Sequence, residues 1–419
     1  MISRLKSPNS SSWLLPRFSS RFLNSSSTQF SPSKTPGIIF DIDGVLVRGG
    51  NVLPEAKSTF KKLYCHDTQK FKLPIVFVTN AGNSLRSTKA EALTKLLETP
   101  IKKEQVVMSH TPLRTLKNNQ DKFSLISGQG PITEIANKLG FHKTITVTDL
   151  RERMPYLDMT CHDTRPDNRN ISDYAHLHDF PKIEQVVLFG EPNRWETNLQ
   201  FILDCIITEG DFWRNNTQKD YELNGVLGRK SEHIPIIGAN MDLQWQAEAP
   251  GPRFGHGMFM TTLEAAYAKL TNGKKLNYTA LAGKPSPMTY EYAEKILKEM
   301  VQESGNEVEL GDVYCIGDNI MSDIFGANLY STISTRKFHS MLVSTGVWHK
   351  PDGFDLDLSQ EELRKVFKEL ESCNFAHAPR DYVPDGDMWH GETVETLLVP
   401  DFIIENVEGC IDHVLSRNL

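Results

Sequence analysis

Short apolar runs that break at glycine, asparagine, threonine or aspartate recur along the chain: "GIIFDIDG", "LPIVFVTNAG", "DVYCIGDN" and "VPDFIIENV". Nearly continuous runs of this length are what strands buried on both faces of a parallel sheet require. Between them, "SLRSTKAEALTKLLE" and "SPMTYEYAEKILKEMVQE" carry apolar residues at helical spacing. In the second of these, Ser286 is expected to cap the helix and Pro287 to occupy its first turn. The alternation predicts an α/β fold with a doubly wound, Rossmann-like parallel sheet. Ligands of such sheets bind beyond the carboxyl ends of the strands. The polar residues that end all four runs are therefore predicted to converge there.

The middle of the chain has a different texture. Over residues 118–257 the strand-like runs "KFSLISG", "EQVVLFGE" and "IPIIGAN" are separated by long polar stretches such as "CHDTRPDNRNISDYAHLHDF". This predicts a second α/β domain inserted into the first, giving a core built from residues 36–117 and 258–419. A further polar insertion, about residues 352–395, precedes the last strand, and no internal repeat is visible.

Composition narrows the class. With 39% hydrophobic and 24% charged residues in 419, the chain reads as a soluble protein of more than one domain. With a net charge of -7, nothing in the composition suggests a nucleic-acid-binding surface. No apolar stretch approaches the roughly 18 residues of a membrane span. Six cysteines without a C-x-x-C pair argue against a disulfide framework or zinc knuckle and favour a reducing compartment. The first 35 residues stand apart: they are serine-rich, carry Arg4, Lys6, Arg17, Arg21 and Lys34, and contain no acid. That is the composition of a disordered mitochondrial transit peptide, with an unaddressed polar tail as the alternative. The expected location is the mitochondrial matrix.

The candidate chemistry sits at the ends of the apolar runs. Asp41 and Asp43 would point to the same side of a strand and crowd like charges unless the chain leaves the sheet there. Taken alone, Asp before Gly is ordinary turn chemistry, and Asp318 and Asp323 of "CIGDNIMSDI" can simply cap a helix. Thr79 and Asn80 end the second run, and "LAGKPSP" supplies Lys284. If the strands are adjacent, four carboxylates meet one amine and one hydroxyl. Two like charges about 4 Å apart cost roughly 4 kcal/mol at an effective dielectric of about 20, so one lysine does not offset the cluster. A divalent ion is implied, and an all-oxygen, carboxylate-rich set suits Mg²⁺ rather than Zn²⁺. In the inserted segment, "GANMDLQWQAEAPGPRFGHG" offers Asp242, Trp245, Arg253 and His256. Arg253 could pair with an anion and Trp245 could stack on a substrate, or the loop could be structural with Trp245 in the core. His162, His176 and His178 read as solvated loop histidines.

In this order the residues resemble the four signature motifs of the haloacid dehalogenase (HAD) superfamily. Asp41 and Asp43 match its D-x-D, Thr79 the second motif, Lys284 the third, and Asp318 with Asp323 the acidic fourth. Only about 35 residues separate Asp43 from Thr79, whereas about 200 separate Thr79 from Lys284. That spacing, with "VLPEA", "VTNAG", "GKPSP" and "GDN", resembles subfamily IIA, the p-nitrophenyl phosphatase-like enzymes with a large α/β C2 cap. A closer resemblance runs through "VVLFGEPNRWETNLQ", "DLQWQAEAPGPRFGHGMF" and "PDFIIENVEG" to the eukaryotic HAD-like proteins of the cat eye syndrome critical region protein 5 type, a group assigned to mitochondria.

The resemblance implies a Mg²⁺-dependent phosphatase for a small phosphorylated metabolite. In it Asp41 is the nucleophile that becomes an aspartyl phosphate, and Asp43 is the acid and base. Mg²⁺ would be held by Asp41, the backbone carbonyl of Asp43, and Asp318, with Asp323 as a ligand or its support. Thr79 and Lys284 would hold phosphoryl oxygens, with backbone donors from Asn80, Ala81 and Gly82. A dehalogenase would lack Asp43, and a phosphomutase would carry its cap between the first and second motifs, where this chain has no room. The rival from another class is a HAD-fold binding or scaffold protein with little turnover. The cap is expected to close over the site, and a homodimer through it is a further expectation.

Overall fold

The structure, a computed structural model, describes residues 33–158, 179–211, 233–305, 308–356, 358–368 and 393–418. His162, His176, His178, the first 32 residues and much of the 352–395 insertion lie outside the described residues.

All four apolar runs become strands of one parallel sheet. Its order is Phe402–Ile404, Phe338–Val343, Val308–Gly317, Ser33–Phe40, Ile75–Thr79 and Val106–Met108. The first strand lies inside the sheet, and its partners on either side come from opposite ends of the chain. Ile38 and Phe40 face the helices Pro54–Leu63 and Val407–Asn418, whereas Ile39 faces Pro287–Glu303 and Phe325–Ile333. This double burial is the physical reason the run has no polar positions. Phe40 packs on Phe60 at 5.5 Å and on Phe77 at 6.0 Å between ring centroids. Each such fully buried side chain contributes on the order of 1.5–3 kcal/mol. The strand's carboxyl end is the switch point between pairing toward Ile75–Thr79 and pairing toward Val308–Gly317, the place where a doubly wound sheet opens a crevice.

A second parallel sheet has the order Ala280–Ala282, Ile236–Ala239, Gln185–Leu188, Ser124–Ser127 and Thr144–Thr146. It contains the three runs read as strands of the inserted segment and two more. Ala280–Ala282, which the sequence reading placed in the second part of the core, pairs here with Ile237–Ala239. Ser286 does stand at the start of the helix Pro287–Glu303, with Pro287 in its first turn, but the serine side chain makes no capping hydrogen bond.

Among the described residues, Cys65, Cys205, Cys315 and Cys410 are free thiols. No described helix is long and apolar enough to cross a membrane.

Candidate active site

The chain leaves the first sheet directly after Phe40. Gly44 follows at φ +93°, where a Cβ would lie 2.3 Å from Asp318 Oδ2. This turn separates the two opening aspartates. Asp41 is buried at 6% exposure, whereas the Asp43 side chain is a quarter exposed.

The ligand oxygens of Asp41, Asp318 and Asp323 lie within 4.8 Å of one another, and Asp43 is not part of that group. Lys284 is the cation at its centre. Its Nζ donates to Asp41 Oδ1 and, at 2.6 Å, to Asp323 Oδ1. Asp323 Oδ2 also accepts the Asn319 N–H at 3.0 Å, and Asp318 Oδ2 accepts the Val347 N–H at 2.5 Å. Gly346 permits the second contact, because a Cβ there would sit 1.8 Å from Asp318 Oδ2. Beside the cluster, the Thr79 hydroxyl donates to Asp43 Oδ2 at 3.3 Å, and Lys89 Nζ lies 3.8 Å from the same oxygen.

Burial and mutual repulsion set the charge states. Burial first, then Asp323, raise Asp318 to a pKa of about 7 against the pull of Lys284 and the Val347 N–H. Asp41 is also held well above the usual carboxylate range, by burial and despite Lys284, with its acidic neighbours adding to the rise. For Lys284, burial works against the ammonium, but Asp323 and Asp41 outweigh it and hold the pKa above the ordinary lysine value. A site this acidic, with one buried amine, is short of positive charge.

Asn80, Ala81 and Gly82 line the cavity, and the loop they form is held by contacts of its own. The Asn80 amide donates to Lys284 O at 2.9 Å while its oxygen accepts the Lys284 N–H at 2.7 Å, so its side chain clamps the third-motif loop. The Ala81 N–H donates to Thr79 Oγ1 at 3.0 Å. Gly82 lets its loop touch the second sheet, since a Cβ would meet Phe189 O at 2.2 Å. Arg253 does not line the cavity, and His256 is buried with Nδ1 2.6 Å from Ala239 O. Trp245 does line it and is 36% exposed, so it is not core.

The cavity of about 300 Å³ runs between the two sheets. Besides the motif residues it is lined by groups that the sequence did not single out, including Lys89, Gln129, Glu191 and Glu248. Glu248 accepts the Gly50 N–H at 3.1 Å, tying the loop after Ile236–Ala239 to the hairpin after Asp43. Asp242 also faces the cavity, its pKa pushed up to about 6 by burial, with Lys284 opposing and Asp323 adding. Val347 had one readable signal: "STG" directly follows the apolar strand Phe338–Val343.

Two segments match family models, residues 38–142 a haloacid dehalogenase-like hydrolase and residues 281–371 a HAD-hydrolase-like domain. They flank most of the second sheet and contain every motif residue of the cluster. The chain belongs to the haloacid dehalogenase-like hydrolases. Within this superfamily it is a member with a Rossmann-like core and a cap. The p-nitrophenyl phosphatase of Archaeoglobus fulgidus shares the fold, with a TM-score of 0.50 and 18% identity over 91% of this chain and 99% of that one. In sequence, 78% of the chain is 32% identical to a cardiolipin synthase (CMP-forming)/mitochondrial hydrolase fusion protein of Schizosaccharomyces pombe, of which it spans about half the length (51%). A mitochondrial hydrolase of Saccharomyces cerevisiae is 29% identical over 76% of this chain and 90% of its own.

Proposed function

We propose that this HAD hydrolase is a Mg²⁺-dependent phosphatase for a small phosphomonoester and works through an aspartyl phosphate on Asp41. The observation that carries the reading is the buried triad of Asp41, Asp318 and Asp323 around Lys284, at the switch point of the sheet.

The donor set fits the ion. It is oxygen-only and carboxylate-rich, and burial raises the pKa of Asp41 and Asp318, which a divalent cation would reverse. Asp41, Asp318 and the Asp43 backbone carbonyl would hold it, with Asp323 as a ligand or a support. Bound Mg²⁺ would offset the carboxylates and draw charge from the phosphoryl oxygens.

The remaining roles belong to the chain. Asp41 attacks phosphorus as the ester P–O bond breaks, which splits one difficult displacement into two easier ones. Asp43, steered by Thr79 and Lys89, gives its proton to the departing alkoxide and then takes one from the water that hydrolyses the aspartyl phosphate. Lys284 and Thr79 hold phosphoryl oxygens, and Asn80 keeps the Lys284 backbone in place. Release of p-nitrophenol from p-nitrophenyl phosphate tests the reading: turnover should vanish with EDTA and return with Mg²⁺. A folded protein inert toward every phosphoester would instead favour the binding-protein alternative.

Proton linkage gives a second expected result. Because Asp318 has a folded-state pKa of about 7 against an ordinary 3.8, the folded protein without Mg²⁺ holds more protons than the unfolded one between those values. Its stability should therefore fall as pH rises from about 4 to about 7. Mg²⁺ takes the place of those protons. Thermal unfolding should show a larger Mg²⁺-induced rise in Tm at pH 8 than at pH 5, and an equal rise at both would refute the linkage.

The mitochondrial names of the relatives, with the acid-free basic leader, support a mitochondrial location, in the matrix under this proposal. Mass spectrometry of the endogenous protein should find an N-terminus between about Phe22 and Pro36, and an intact Met1 on a cytosolic pool would refute it. A homodimer through the cap belongs to the same proposal and is read by light scattering.

A further inference from the structure

Given the phosphatase reading above, the cavity also limits what the phosphoryl group is attached to. Both lysines that line it sit at the phosphoryl end, Lys284 on Asp41 and Asp323, and Lys89 beside Asp43. The wall built by the loops after Ser124–Ser127, Gln185–Leu188 and Ile236–Ala239 is different. It presents Gln129, Glu191, Asp242, Gln244, Trp245 and Glu248, and among the described residues no arginine, lysine or histidine from that wall lines the cavity. Two of its three carboxylates are engaged: Glu248 by the Gly50 N–H, and Asp242 in the field of Lys284. Among the described residues, no cation offsets Glu191. Burial raises its pKa, opposed by its own backbone N–H. Trp245 adds an indole, a group whose face attracts ammonium ions.

We propose that the leaving alcohol carries a protonated amine, so that the substrate class is an amino-alcohol phosphate whose ammonium pairs with Glu191 in the cavity that Trp245 also lines. The amine takes no part in the chemistry. The P–O ester bond breaks, the alkoxide receives the Asp43 proton, and water releases inorganic phosphate from Asp41. A carboxylate or second phosphate in the same position would meet Glu191 and, among the described residues, no cation from that wall. A neutral alcohol would leave Glu191 uncompensated.

The test uses the full chain with Mg²⁺ and three esters with the same two-carbon skeleton: ethanolamine phosphate, ethyl phosphate and phosphoglycolate. The expected kcat/KM for the amine ester exceeds that of the ethyl ester by about tenfold and that of the carboxylate ester by roughly a hundredfold. Glu191→Gln should reduce the amine-to-carboxylate ratio by about tenfold, and Glu191→Lys should bring it to unity or below. Equal or faster turnover of the carboxylate ester by the wild type, equal turnover of the amine and ethyl esters, or a ratio unmoved in both variants, would overturn the inference. Turnover of p-nitrophenyl phosphate by the wild type reads the phosphatase proposal separately. If that fails, calorimetric binding of the three esters to the Mg²⁺-loaded protein still reads the order, and no preference for the ammonium ester overturns the inference.

Discussion

Asp41→Asn is expected to abolish phosphate release, whereas Asp43→Asn is expected to halt the cycle with phosphate on the enzyme. The two side chains have the same chemistry and different surroundings. Asp41 is buried in the acidic cluster and held by Lys284, where an amide would be a poor nucleophile and no covalent intermediate could form. Asp43 lies outside the cluster and is held by Thr79 and approached by Lys89, so its replacement leaves the nucleophile and the carboxylate triad intact. What it loses is the proton donor and acceptor, a role worth about 10² to 10⁴ in rate. Both variants should fold, since each removes one charge from an acidic site. Rapid quench from an activated aryl phosphate, whose leaving group needs little protonation, separates them. A phosphorylated species should form and persist on Asp43→Asn and be absent on Asp41→Asn. Covalent phosphate on the Asp41→Asn protein would mean that another group is the nucleophile.

Lys284→Met should cost both activity and stability. The ammonium is almost fully buried and contacts two carboxylates, so its removal leaves buried charge without a partner, a change that typically costs about 3–5 kcal/mol. The loss should depend on pH in a defined direction. The folded-state pKa of Lys284 is raised, so its own contribution is complete below the ordinary value of 10.5 and disappears only at higher pH. Any change in the deficit between pH 5 and pH 8 must then come from the carboxylates, which the variant can protonate at the acid end. Urea unfolding in the presence of chelator should show a larger deficit at pH 8 than at pH 5, and Mg²⁺ should recover part of it. The turnover number should fall by about 10² to 10³, the usual cost of one lost donor to a charged transition state. A variant as stable as wild type at pH 8 would show that this amine does not offset the cluster.

Local sequence determined a large part of this protein. The runs at Ile38–Phe40, Ile75–Thr79 and Val313–Gly317 are apolar on both faces because both faces are covered by helices, and a strand of that kind can be read without knowing its neighbours. The order and spacing of Asp41, Asp43, Thr79, Lys284, Asp318 and Asp323 likewise pointed to a superfamily and to a domain inserted before the lysine. Tertiary structure decided what depends on distant partners. Ala280–Ala282 is too short to declare its sheet, and pairing with Ile236–Ala239 sends Lys284 into the site from the second sheet rather than the first. The polar end of Phe402–Ile404 looked like the other strand ends, yet this is the edge strand, and Glu405 does not line the cavity. Nothing local to Asn80 names the partner of its side chain, whose donor and acceptor are both used by a backbone 204 positions away. Arg253 looked suited to an anion, but its two-residue strand pairs with Gln244–Trp245, and the tryptophan reaches the cavity while the arginine does not. Burial on a strand follows from its own residues, whereas the partner of a polar side chain is fixed only when loops far apart in the chain are brought within hydrogen-bonding distance.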